Sequence, residues 1–268
     1  MSAALAAINP MEQFLVHRLV PISVALPGIG LVDLSITNSV LFMAIAATLI
    51  GAIFVAGAQN RIVPGRLQST VESFYDVVDG SMVGAMIGDR GRPFLPYIFT
   101  LFTFIAMMNV IGLIPGSFTA TSQLAVTATL ASFSIGLVLI VGFGRHGLGF
   151  FKLFVPSGVH WAMAIFLVPI ELISFSVRPF TLALRLFGNM LAGHVMVYLF
   201  ASFVIGLGFF AAAHGGVSNL LYVGSAASLA MVVALFLLEL VVAVVQAFVF
   251  AALSCIYLNE VVNLGHGH

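Results

Sequence analysis

Three charged residues of this chain stand seven apart: Glu171, Arg178 and Arg185. Seven residues are almost two turns of an α-helix, so all three fall on one helix face. Asn189 extends that face by one turn, and Glu239 and Gln246 repeat the spacing of seven further on. His194, His214 and Glu239 are the acids and histidines between Arg185 and Tyr257. An arginine stays charged at any physiological pH, so it cannot relay protons. It attracts an anion and repels a proton. A carboxylate and an imidazole exchange protons near neutrality. A permanent cation beside such groups has the character of a gate in a proton route. On an ideal helix His194 points roughly opposite Arg185, and so serves a different cavity. Plainer readings stand beside this one. Arg178 snorkels to a headgroup or pairs with Glu171, Asn189 and Gln246 act as hydrogen-bond glue between helices, and His194 with Glu239 forms a merely satisfied pair. For Arg185 the plainer reading is weakest, because no acid is an obvious local partner.

The elements that must hold these residues follow from composition. Of 268 residues, 62% are hydrophobic and 7% charged, with zero formal net charge. A soluble domain carries about 25% charged residues. A soluble enzyme, a disordered chain and a nucleic-acid binder are thereby excluded. The single cysteine, Cys255, excludes a disulfide framework and a multi-cysteine metal site. Neither metal nor cofactor is expected. Twenty-five Phe against one Trp, and no strand-length alternation, disfavour an aromatic-girdled barrel. The expectation is an all-α, multi-span membrane protein forming one membrane domain over 1–268.

Charge-free tracts locate its spans, since roughly 20 apolar residues cross ~30 Å of hydrocarbon. The expected spans are 34–58, then 94–114 and 124–143 as a hairpin with a turn at Ile114–Ser117. The stretch 159–213 contains Glu171, Arg178 and Arg185. As one straight helix about 50 such residues would run ~75 Å, so the stretch either breaks into two upright spans or lies strongly tilted; 217–258 poses the same choice. Residues 62–90 read as an amphipathic surface helix. Pro64 and a capping box at Ser69–Glu72 start it, Leu67, Val71, Phe74, Val78 and Ala85 share its apolar face, and Glu72, Asp76 and Asp79 face away. Arg61, Arg66, Arg90 and Arg92 in one loop, and Arg145 and Lys152 in another, put those loops in the cytoplasm or matrix. The N-terminus is then outside and the C-terminus inside. Residues 1–20 lack a basic leader pattern, which argues against a signal or transit peptide.

The segment Leu184-Arg185-Leu186-Phe187-Gly188-Asn189-Met190-Leu191-Ala192-Gly193-His194 resembles the signature of the a-subunit family of F-type ATP synthases. Pro10–Phe14, Met108–Pro115, Gln246–Phe250 and Ile256–Asn259 resemble further blocks of that family, in order. Some bacterial members have Glu where this chain has His194 and His where it has Glu239. The order here is similar to that of mitochondria and their alphaproteobacterial relatives. The resemblance implies that 159–258 is a long, tilted hairpin lying along a rotor ring of c subunits. It also supplies an anion for Arg185, the carboxylate of each c subunit. It implies a proton-channel stator that is no enzyme on its own, in which Arg185 separates two aqueous half-channels. Asn189, His194, Glu239 and Gln246 would line the outer one and Glu171 the inner, with Arg178 on the path. Implied partners are the c-ring, b-type peripheral stalk subunits, the rest of the F1Fo complex and the bilayer. The implied location is a bacterial inner membrane, with the mitochondrial inner membrane as the alternative. In an antiparallel hairpin the residue numbers of facing partners have a nearly constant sum. That register sets Arg185 level with Gln246 and His194 level with Glu239.

Three rivals remain. A stand-alone transporter or channel predicts an internal repeat, and none is found. An intramembrane enzyme would show a His-Glu-x-x-His or Gly-x-Ser-x-Gly motif. A haem protein would need His146 and His160 on one helix, which Gly147, Gly149, Pro156 and Gly158 interrupt.

Overall fold

The computed structural model describes residues 14–21, 23–26, 30–33, 35–58, 65–114, 116–154, 161–213 and 218–264. Arg61, Pro64, His160, His214 and the C-terminal Gly265–His268 lie outside the described residues. Among the described residues six α-helices carry the fold: α1 (Asn38–Gly57), α2 (Arg66–Asp76), α3 (Leu95–Gly112), α4 (Leu124–His146), α5 (Trp161–Ala213) and α6 (Ser218–Val262). Among the described residues, five helical segments are long and apolar enough to cross a membrane. The chain is an all-α, multi-pass membrane protein.

The choice left open for the last two stretches is resolved in favour of unbroken helices. α5 has 53 residues and α6 has 45. Pro169 and Pro179 lie inside α5 without ending it. At 1.5 Å per residue α5 is ~80 Å long, far more than ~30 Å of hydrocarbon. It cannot stand upright as a single span.

The backbone packs as two compact units. One comprises Met1–Ile45, Met108–Gln123 and Phe187–Val245; the other comprises Ala46–Met107, Leu124–Leu186 and Gln246–His268. Among the described residues the first unit holds four short strands, contrary to the all-helical expectation. β1 (Arg18–Val20) pairs with β4 (Ile36–Thr37), and β2 (Ser23–Leu26) pairs with β3 (Gly30–Asp33), both antiparallel. Asn38, which opens α1, ties this segment down. Its side chain donates to the Leu15 carbonyl and accepts from the His17 amide.

The second unit has the larger core. Lipid tails are as apolar as Leu, so helices in a bilayer associate through close packing and small residues. Ala247 and Ala251 of α6 are fully buried, among Ile98 and Ile105 of α3 and Leu182 and Leu186 of α5. A β-carbon at Gly142 would fall 2.5 Å from the Phe150 ring and 3.1 Å from Val261. Tyr97 and Ser134 share a hydrogen bond of 2.9 Å between α3 and α4.

The amphipathic segment departs from its expected form twice. No capping box forms. Gly65 is the N-cap, so Ser69 and Thr70 are already inside α2, and the Ser69 amide bonds the Gly65 carbonyl. Glu72 accepts from Gln68 instead, at 2.8 Å. Beyond Asp76 the chain widens into a π-helix, Val77–Gly84. Its wider turn moves the buried stripe to Val78, Met82, Val83 and Ile87. Ala85, expected on that face, is exposed.

Candidate functional site

In the first unit α5 presents His194 and α6 presents Glu239. His194 Nδ1 lies 3.3 Å from Glu239 Oε1. Both residues are buried, at 7% and 5% exposure. Gly193 permits the approach: a β-carbon there would sit 2.8 Å from Glu239 Oε1. The other ring nitrogen, Nε2, lies 2.9 Å from Thr119 Oγ1. That hydroxyl is also 3.2 Å from the Gly112 carbonyl, at the end of α3. Phe14 flanks the imidazole with its ring centroid 6.2 Å away. The surroundings are fixed by Asn109 of α3. It is fully buried and donates to the Ala243 carbonyl of α6 at 2.9 Å. Leu113, Met190 and Ala243 close a small apolar cluster beside it.

The second unit holds an ion-paired cluster. Arg178 of α5 reaches Glu171 Oε1 at 3.6 Å and hydrogen-bonds Glu260 of α6. Its guanidinium lies 5.3 Å from the Phe175 ring centroid and 4.9 Å from that of Tyr257, both within cation–π range. Arg178 is thus an internal ion-pair partner, and the headgroup reading falls. A desolvated charge needs a partner nearby, and here it has two. Glu260 and Tyr257 were not singled out in the sequence. The antiparallel register carried the signal, because the sum that pairs Arg185 with Gln246 pairs Glu171 with Glu260.

The remaining candidates are placed as follows. Gln246 is buried at 4% exposure, whereas Arg185 and Asn189 lie on the exposed side of α5. Among the described residues the Arg185 side chain forms no hydrogen bond and no ion pair. So the structure brings together His194 with Glu239 and Glu171 with Arg178. It adds Thr119 to the first group and Glu260 to the second. Thr119 was missed because Ser117, Thr119, Thr121 and Ser122 present four hydroxyls in one connection. Nothing in their spacing says which of them turns towards a helix.

Fold and sites together define a polytopic helical membrane protein with an imidazole and a carboxylate buried side by side between two of its long helices and a permanent cation on an open helix face. Residues 40–259 match the family model described as ATP synthase A chain. The chain belongs to that family. It is similar to ATP synthase subunit a of Allorhizobium ampelinum, with 46% identity covering 97% of this chain and 99% of that one. It is 46% identical to ATP synthase subunit a of Mesorhizobium japonicum, over 97% and 98% of the two chains. The corresponding protein of Rhizobium meliloti is 45% identical, over 97% and 99%. Family membership selects against a stand-alone transporter or channel.

Proposed function

We propose that this chain is the proton-conducting stator subunit in the membrane sector of an F-type ATP synthase. Two aqueous half-channels reach towards Arg185 from opposite sides. Asn189, His194, Glu239 and Gln246 line the outer one. Glu171 lines the inner one, its carboxylate held by Arg178, which also binds Glu260. Arg185 keeps the two apart and draws the carboxylate of each passing c subunit into its ionised form. The observation that carries this reading is Arg185 itself. A side chain that never loses its charge lies exposed on a membrane helix, without an ion pair among the described residues, whereas Arg178 on the same helix has two carboxylate partners. A charge in a membrane span is costly enough to be functional by default. This one calls for an anion supplied by another chain.

The partners are the c-ring and the b-type peripheral stalk of the complex. Arg66, Arg90, Arg92 and Arg145 assign their loops to the cytoplasmic side of a bacterial inner membrane, with the N-terminus periplasmic. Arg185→Ala tests the proposal in membrane vesicles that carry the whole complex. ATP-driven proton pumping is expected to fall roughly 100-fold or more, the scale on which one preorganised electrostatic partner acts. Arg185→Lys is expected not to restore it fully, because an ammonium is a flexible point charge that can itself deprotonate when buried. Coupled pumping at the normal rate by the Arg185→Ala complex would overturn the proposal.

A further inference from the structure

His194 is held at both ring nitrogens, and the two partners are not equivalent. Nε2 faces Thr119 Oγ1 at 2.9 Å, and Nδ1 faces Glu239 Oε1 at 3.3 Å. The Thr119 hydroxyl has a second contact, the Gly112 carbonyl at 3.2 Å. A hydroxyl has one proton to give and two lone pairs with which to accept. A carbonyl can only accept. Gly112 ends α3, where the last carbonyls lack partners inside their own helix, so this carbonyl takes the hydroxyl proton. The hydroxyl then meets His194 as an acceptor, and Nε2 must carry a hydrogen.

We infer that Thr119 fixes the tautomer of His194 with the hydrogen on Nε2, and is thereby a positioning residue for the proton path. The inference rests on the path proposed for His194 and Glu239. With Nε2 committed to Thr119, neutral His194 turns the lone pair of Nδ1 towards the carboxylate. Nδ1 is then the one ring atom that can take up or release a proton. The other side of the gap is equally bare. Glu239 Oε1 is buried and forms no hydrogen bond among the described residues. Gly193 puts no side chain in the way. Two acceptors face each other over 3.3 Å, which leaves room for one proton between them. That proton sits on Oε1 and donates to Nδ1, or sits on Nδ1 and donates to Oε1. Moving between these positions breaks one bond to hydrogen and forms one, and exchanges a neutral acid–imidazole pair for a carboxylate–imidazolium pair of the same total charge. The opposite tautomer would fill the gap with the ring's own hydrogen. An arriving proton would then have to enter at Nε2, against Thr119.

Nitrogen-15 magnetic resonance on the whole complex in membranes, with labelled histidine, reads the tautomer directly. The His194 signal is assigned by its loss in His194→Gln. Neutral His194 is expected with its hydrogen on Nε2; a hydrogen on Nδ1 overturns the inference, and this measurement needs no variant at position 119. Thr119→Val keeps the shape and removes the acceptor. It is expected to give a mixture of tautomers and roughly 5-fold slower ATP-driven pumping, the Boltzmann factor of one neutral hydrogen bond. Thr119→Ser retains the hydroxyl and is expected to restore both. A Thr119→Val complex with the wild-type tautomer and wild-type pumping overturns the inference. Unimpaired pumping by His194→Gln would instead remove the proton path, and with it the positioning role, while the spectrum would still report the tautomer.

Discussion

Gly193 decides how near a carboxylate can come to His194. A β-carbon at this position meets the free end of the Glu239 side chain, which can turn away at a rotamer cost of about 1 kcal/mol. The Gly193→Ala chain is therefore expected to assemble with near-normal stability. Its Glu239 carboxylate moves off the imidazole, and ATP-driven pumping is expected to drop roughly 5-fold, again the worth of one hydrogen bond. Subunit recovery in the purified complex and pumping in vesicles measure the two effects separately. Loss of assembly together with activity would show that Gly193 serves packing rather than the pair. The pairing of His194 with Glu239 was legible before any coordinates, because the numbering of an antiparallel hairpin fixes which residues are level. Thr119 was not legible. Its role depends on the path of a short connection, and a hydroxyl in such a place has no period or spacing to betray it.

At the scale of elements, the joint between α5 and α6 in the second unit is ionic. Arg178 carries Glu171 on its own helix and Glu260 on the other, between the rings of Phe175 and Tyr257. Arg178→Met leaves two carboxylates facing each other without their cation. Breaking a fully buried pair costs about 3–5 kcal/mol. Here Glu171 and Glu260 are 37% and 32% exposed at the side chain, so solvent screening brings the expected cost nearer ~2 kcal/mol. Retention of this chain in the complex on heating in detergent measures it. Arg178→Lys should recover only part, since an ammonium lacks the planar fork that lies over the rings. No change with Arg178→Met would mean that the ion pairs contribute nothing to the joint. The sequence showed that this helix pair existed and how its residues align. It could not show the π-helix after α2, because an apolar pattern is matched against the period of an ordinary helix, and a wider turn shifts the buried face without changing the composition. The short strands before α1 were hidden for a related reason: backbone pairing over two to four residues leaves no alternation to detect.

For the whole molecule, charge placement carries the argument. The four described arginines outside α5 and beyond residue 60 stand in or beside two connections, and the connection between α3 and α4 has no charge at all. That asymmetry was fully legible, since only 18 residues are charged. The division of the backbone into two compact units was not, because four of its five cuts fall inside continuous apolar helices where the composition does not change. Orientation can be tested with a thiol reagent that cannot cross membranes. The native Cys255 is fully buried and gives a silent background. A cysteine replacing the partly exposed Glu171 is expected to react from the cytoplasmic side, and reaction from the periplasmic side alone would reverse the assignment of the half-channels.

The gap between His194 and Glu239 also bears on ancestry. Family members that carry this pair in the reverse order share a forebear with this chain, and single substitutions leave only two routes between the orders. One passes through two imidazoles, the other through two carboxylates. Two carboxylates in such a gap hold a single proton between them, which leaves the same total charge as a neutral imidazole beside an ionised glutamate. Two imidazoles lack the negative charge altogether. A carboxylate in the place of His194 would compete with the Gly112 carbonyl for the one hydroxyl proton of Thr119. The less disruptive lineage therefore runs through a glutamate pair, and a reconstructed ancestor bearing that pair should still drive protons.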